Sequence, residues 1–379
     1  MPETAPLFPV VREHLASLTD DFGIRQHARG AEPDPTHGTC TDDVARALVV
    51  DLDHADLLGP SAVEESLRRS LRYLVEAFDP AAGCFRNFRA TDGTWLDRVG
   101  SEDCQGRAMF ALAEATSRSR EPEIRSTAAD LLGLAAPAAL RLTSIRAVAS
   151  AVLACAEPVD APTQVTLRPV LVDLSGRLAA AFSGCSSDVD WPWPEAAVTY
   201  ESALPTRALI VAGGRLGETV ITDLGLATLD WLLRGQVAAD GRFDPVGNRG
   251  WWARGGTKAT FDQQPIEAAS VILAAEAAFE ATFDPRYVEA AERAYAWFLG
   301  ENRLGLSVAD PATGGCRDGL GADGLNESQG AESTLAWLAA LEAIRRLRRL
   351  PVTRPDRKPG GGGVAGRRAR NPGPGCMAR

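Results

Sequence analysis

The chain has 379 residues, 45% hydrophobic and 24% charged, and 40 Lys and Arg against 50 Asp and Glu give a formal charge of −10. The imbalance is uneven: residues 351–379 hold seven basic residues and one acidic one, which leaves 33 basic against 49 acidic, or −16, for residues 1–350. So acidic a body excludes a nucleic-acid-binding face and argues against docking on anionic lipid, while the apolar content suffices for a large core.

In chain order, the start shows no basic stretch leading into an apolar one, so no signal peptide is expected, and no apolar run reaches the length of a membrane span. Apolar residues recur at a helical period through the body, and alternating β-branched runs are scarce. Twelve helices are expected, over 7–21, 41–58, 61–78, 101–118, 122–139, 142–156, 163–182, 199–213, 217–236, 263–283, 285–302 and 329–349. The links after the second, fourth, eighth and tenth are short. Those after the first, third, seventh, ninth and eleventh are long. Short links make antiparallel hairpins. Six hairpins closed in a ring form an all-α (α/α)6 toroid over residues 1–350, with the even helices inside and their N-termini on the long-loop face. Glycine turns before aromatic residues, at Gly83, Asp92-Gly93 and Asp240-Gly241, add a weak internal repeat. Residues 351–379 are Pro-, Gly- and Arg-rich and are expected to be disordered.

Five of the six expected inner helices open on acidic or amide side chains: Thr41-Asp42-Asp43, Ser101-Glu102-Asp103, Thr199-Tyr200-Glu201, Asp262-Gln263-Gln264, and Glu327-Ser328-Gln329 leading to Glu332. Capping accounts for one residue per helix, with Thr41 and Ser101 as the caps. It leaves Asp43, Asp103, Gln264, Glu267 and Glu332 at or beyond the first turn of helices that are otherwise apolar. Buried carboxylates are costly unless bonded, so a ring of them at one end of a toroid reads as a polar cavity for a ligand. The long loops add Phe85, Phe88, Trp95, Trp191, Trp193, Trp251, Trp252 and Phe261. Aromatic faces beside acids and amides suit sugar recognition. Arg89, Arg98, Arg249 and Arg254 stand in the same loops, where they would pair with acids or bind an anionic group; so acidic a body favours pairing.

The four His residues, 14, 27, 37 and 54, all lie early in the chain. No metal is expected, because His is scarce and no Cys cluster has ligand spacing; the Asp- and Gly-rich stretch 310–323 does not match a calcium loop. No cofactor is expected, since no glycine-rich phosphate loop follows a strand. No Gly-x-Ser-x-Gly elbow occurs. The seven Cys residues contain no Cys-x-x-Cys and read as free thiols of a cytoplasmic protein.

The blocks His37–Leu48, Gly100–Ala108, Thr199–Pro205, Asp262–Ala268 and Asn326–Thr334 resemble those of a bacterial family of α/α-toroid proteins in the six-hairpin glycosidase-like group. Its members are often labelled glycosyltransferase, because some are fused to or encoded beside such enzymes and mannoside phosphorylases. The resemblance spans residues 35–345. This chain has Glu201-Ser202 where an Asp-Asn pair is expected, and Pro194 where Phe is expected in the stretch ending at Glu195. The resemblance implies a carbohydrate-active toroid, a glycoside hydrolase or phosphorolytic relative acting on an oligosaccharide or glycoconjugate. With the ring logic, it makes Asp43, Asp103, Asp262 and Glu332 the candidates for acid and base. Asp42, Glu102, Glu195, Tyr200, Glu201, Trp252, Gln263, Gln264, Glu267, Asn326 and Gln329 become substrate-binding candidates, and Arg107 would orient a carboxylate. The separation of the two working carboxylates would decide between retention and inversion.

Other readings compete. A non-catalytic glycan-binding or accessory domain, serving a glycosyltransferase partner, would keep the aromatics and amides but need no acid pair. Sugar epimerases on this fold depend on several His residues, which this chain lacks beyond His54. Terpene cyclases share the toroid, but Asp42-Asp43-Val44-Ala45-Arg46 fails their Asp-rich pattern.

Overall fold

The computed structural model describes residues 4–351. The tail expected over 351–379 lies, apart from Pro351, outside them. Twelve α-helices are present among the described residues: α1 (Glu13–Ser17), α2 (Thr41–Leu58), α3 (Glu64–Ala77), α4 (Glu102–Arg118), α5 (Pro122–Ala139), α6 (Ile145–Ala156), α7 (Ala161–Ser183), α8 (Leu204–Leu216), α9 (Thr219–Gly235), α10 (Pro265–Thr282), α11 (Pro285–Phe298) and α12 (Ala331–Leu347). The even helices pack in sequence and α12 returns against α2, which closes the inner ring. The odd helices pack around it. This is the expected (α/α)6 toroid.

Burial follows the two roles. In α6 every residue from Arg146 to Ala156 is buried, as befits a helix apolar on all sides. In α3, Leu67, Leu71, Leu74 and Ala77 face the ring while Glu64, Glu65 and Arg68 stay in water. Inner helices approach closely where side chains are absent. A Cβ on Gly106 of α4 would stand 2.6 Å from the Ala147 carbonyl oxygen of α6, so only glycine fits one residue before Arg107.

The long loops gather over the N-termini of the inner helices and carry short antiparallel strand pairs. Thr39–Cys40 pairs with Phe88–Arg89, and Leu320–Gly321 pairs with Gly324–Leu325. The first pair ties two loops together above the inner ring, and the second is a hairpin within the loop before α12.

Two elements differ from expectation. The first helix is a single turn, because Pro6 and Pro9 keep the preceding segment out of helical geometry. That segment is instead strapped to the body: Tyr295 donates to the Pro6 carbonyl at 3.0 Å and Arg345 to that of Phe8 at 2.8 Å. The eighth helix begins at Leu204 rather than 199, with Pro205 in its first turn. The residues before it form a turn in which Glu201 has a φ of +50°. No described helix is long and apolar enough to cross a membrane.

Candidate functional site

Four of the six inner helices, α2, α4, α10 and α12, contribute to one network at the long-loop end, joined by residues just before α6 and α8. Asp43 and Arg46 sit three residues apart on α2, so they share a face. Arg46 donates to Asp43 Oδ1 at 2.9 Å and, through its other terminal nitrogen, to Glu332 Oε2 of α12 at 2.8 Å. Arg107 of α4 donates to Asp42 Oδ1 at 2.8 Å and to Glu201 Oε2, and lies 3.8 Å from Asp103 Oδ2. The Glu201 and Ser202 backbone amides and the Ser202 hydroxyl donate to Glu267 of α10. Tyr200 donates to Asp103 Oδ2 at 2.6 Å, and the Ser144 hydroxyl before α6 donates to its other oxygen at 3.4 Å. A continuous path of charges and hydrogen bonds thus runs from α12 through α2 and α4 to α10.

A pocket of about 280 Å³ opens above this floor. Its wall includes Asp42, Asp43, Arg46, Arg107, Gln264 and Glu332, joined by Gln26, His27, Cys40, Phe88 and Asp318. The carboxylates fall into two electrostatic classes. Asp43 is almost fully buried, and desolvation, opposed by Arg46 and reinforced by Glu332, pushes its pKa up to about 6. The Cys40 thiol donates to its second oxygen at 3.1 Å. Burial also raises Asp42 and Glu201, but the Arg107 and Arg46 guanidiniums outweigh it and hold both below the usual carboxylate range. Glu332 is 44% exposed at its side chain and faces the pocket. One guanidinium spans Asp43 and Glu332, so the two bonded oxygens are within about 8 Å of each other, given its rigid fork. That bound admits the retaining spacing of a carboxylate pair and the shorter part of the inverting range, about 6.5–9.5 Å.

Several candidates serve the fold at their positions. Glu102 accepts from the Thr143 and Ser144 amides, at 2.7 and 2.6 Å, and so caps α6. Glu195 is held by both terminal nitrogens of Arg146. Gln263 is fully buried and bridges Asp244 and Trp297. Gln329 is buried, with its carbonyl accepting from His14 at 2.8 Å. Asn326 is exposed and caps its own turn at Ser328. Glu267 is fully buried beneath the pocket, where desolvation pushes its pKa up to about 7. Trp252 stacks on Trp231, with centroids 5.0 Å apart and planes at 9°, and Trp191 and Trp193 are buried in the same cluster. Trp191, Trp193 and Trp252 therefore build the underside of the loops. Of the loop aromatics, Phe88 lines the pocket. Asp262 is 40% exposed and lies 3.9 Å from Arg249, outside the pocket wall. Of the two expected caps, Ser101 accepts from the Cys104 amide at 3.1 Å. Thr41 donates instead to the Arg86 carbonyl at 2.6 Å.

Sequence reasoning missed Gln26, His27, Cys40, Arg46 and Asp318 as wall residues. Arg46 carried a signal, since a lone Arg one turn after two acids on an apolar helix needs partners. Asp318 carried one in its Gly-rich surroundings; its carboxylate accepts from the Gly330 amide at 2.7 Å, at the start of α12. Among the described residues no cluster of His, Cys, Asp and Glu has the makings of a metal site. The six described cysteines are free.

No family model and no curated relative matches the chain. Solved structures do. The chain is similar to cellobiose 2-epimerase from Bacillus thermoamylovorans, at 13% identity and a TM-score of 0.67 over 89% of this chain and 96% of that one. It is similar to a D-mannose isomerase, at 13% identity and a TM-score of 0.65 over the same shares. It is also similar to a GH76 α-mannanase from Bacteroides thetaiotaomicron, at 11% identity and a TM-score of 0.59 over 89% of this chain and 95% of that one. These likenesses, over nearly the whole of each chain, show that this chain has the α/α-toroid fold of the six-hairpin glycosidase-like enzymes.

Proposed function

We propose that the chain is a carbohydrate-active enzyme that cleaves a glycosidic bond of an oligosaccharide or glycoconjugate by hydrolysis or phosphorolysis, with Asp43 and Glu332 as its working carboxylates. One observation carries this reading. A buried carboxyl whose pKa is raised and an accessible carboxylate share Arg46 at the floor of a polar pocket. Two carboxyls in unlike environments are what acid–base division of labour requires. Asp43, whose raised pKa keeps it protonated below about pH 6, would give its proton to the leaving oxygen. Glu332, held by Arg46 at 2.8 Å, would act on the opposite face of the sugar, as nucleophile or through water. Arg46 ties the two, holding both carboxyls in place. Asp42 and Gln264 would meet hydroxyls, and Phe88 would offer a face to C–H surface. Asp103 and Asp262, ring acids outside the wall, are assigned to support.

The test is turnover of α- and β-linked disaccharides, with and without inorganic phosphate, followed by NMR of the products. Asp43→Asn and Glu332→Gln are expected to lose at least 10²-fold in rate, with the fold unchanged by circular dichroism. Full activity in Asp43→Asn overturns the assignment. Glycan binding that survives both changes, with no product formed by the unaltered chain, would favour an accessory role beside a glycosyltransferase.

A second reading is favoured by His27, which lines the pocket with its ring edge-on to His37 at 4.7 Å. Two of the similar structures are an epimerase and an isomerase, and proton transfer at a sugar carbon would use such a group. Conversion of a reducing sugar to its isomer, without bond cleavage and lost in His27→Ala, would replace the first reading by this one.

A further inference from the structure

Below the Arg46 and Arg107 guanidiniums lies a second cavity, of about 110 Å³, at the axis of the toroid. All six inner helices contribute to its wall. The sides are mostly apolar, formed by residues such as Val49, Phe110, Leu153, Ile266, Leu273 and Leu335, with Ser150, Glu201 and Arg207 also in the wall. Small residues make the room: Ala45, Ala269, Ala336 and Ala339 stand where larger apolar side chains would close the axis. Protein interiors are close-packed, so a void at the centre of a core is a departure that calls for a reason. Two polar atoms in this wall are buried with no hydrogen-bond partner, Ser270 Oγ and Arg107 Nε. Ser270 is only 5% exposed. An orphaned hydroxyl is costly in an apolar wall unless something occupies the space and meets it. Arg46 and Arg107 line this chamber and the upper pocket alike. The partition between them is therefore made of two side chains rather than backbone.

We propose that the chamber is a subsite for a short aliphatic arm of the ligand, ending in an oxygen, while the sugar is held by the carboxylates above. The arm passes between the two guanidiniums, its methylenes meet the apolar wall, and its terminal oxygen pairs with Ser270. The inference rests on the carbohydrate reading of the upper pocket. It narrows the ligand from any glycoside to one whose non-sugar part is a small alkyl or hydroxyalkyl group.

The experiment is calorimetric titration of the full chain with methyl, n-propyl, n-butyl and 3-hydroxypropyl glycosides of glucose and mannose, with toluene as a probe that carries no sugar. Affinity is expected to rise about fourfold per buried methylene. Ala336→Leu fills the chamber and is expected to flatten that series. Leu273→Ala enlarges it and is expected to carry the optimum to longer chains; this opposite shift serves if the filled variant does not fold. Ser270→Ala is expected to weaken the hydroxypropyl glycoside about two- to tenfold relative to propyl. Methyl and butyl glycosides that bind alike, or a chain-length gain that survives Ala336→Leu, overturn the subsite. Toluene bound by the unaltered chain and excluded by Ala336→Leu, with no glycoside bound at all, supports the chamber as an apolar site and overturns the sugar reading instead.

Discussion

Removing Arg107 tests the site's electrostatics most directly. Arg107→Met keeps the apolar stem and deletes the guanidinium. Asp42 and Glu201 then lose their shared partner, at side-chain exposures of 15% and 14%. Breaking a buried pair by removing one member costs about 3–5 kcal/mol, because the charge left behind is uncompensated. At roughly 2.1 cal/mol/K of unfolding entropy per residue, a body of this size shifts by roughly 1.4 °C per kcal/mol, so Tm should fall by roughly 4–7 °C at pH 7.5. The pH dependence should also invert for these groups. With Arg107 present, both carboxyls are held below their unfolded values. Their stabilisation is present above the unfolded pKa and is lost as pH falls through the folded one. Without Arg107, desolvation raises them, so the penalty should shrink as pH falls from 7.5 towards 5. Differential scanning calorimetry of both proteins across that range is the assay. Arg68→Met, at an exposed cluster with Glu64, Glu121 and Glu123, is the control and should leave Tm unchanged. A Tm loss in Arg107→Met no greater than the control's, or one independent of pH, would refute the reasoning.

Other outcomes follow from the same geometry. If Asp43 is the general acid, kcat/KM should fall as pH rises through about 6, the value to which burial pushes it; a rate that climbs through that range would count against the assignment. Because its folded pKa is raised, Asp43 contributes stability fully below its unfolded pKa and loses it as pH rises through about 6, so Asp43→Asn should gain Tm relative to the unaltered chain above that pH. Glu102→Ala should cost about 1 kcal/mol by uncapping α6 and leave glycan affinity intact by titration; a selective loss of affinity would return Glu102 to the site. Trp252→Ala should cost about 3 kcal/mol in urea unfolding through the lost stack on Trp231, again without a change in sugar binding.

The ring was legible because helical periodicity and the alternation of short and long links are local properties of the chain. Helix α5 at Pro122–Ala139 and helix α2 at Thr41–Leu58 match their expected limits, since Pro opens one and Gly closes the other. The start of α8 was less legible: acids near 200 looked like a helix opening, yet Pro205 marked the true first turn. Helix-start acids were visible, but their duties were not. Asp43 and Glu102 look alike in sequence, and one lines the pocket while the other caps a neighbouring helix. The difference is set by which loop crosses each helix start, a tertiary fact. The loop tryptophans show the same limit, because composition places them on a face without saying which side of the loop they turn to.

The path from Glu332 through Arg46 to Asp43, and from the adjoining Asp42 through Arg107 to Glu201 and Glu267, bears on how this site can change over time. Each member's environment is set by the next, so their substitutions should be strongly epistatic. A scan that alters one position at a time would score nearly every residue in the path as intolerant, whether or not it touches a ligand. Altered specificity would have to come from coordinated exchanges, an acid together with its arginine, or from Phe88 and Gln264, wall residues with no charged partner to strand.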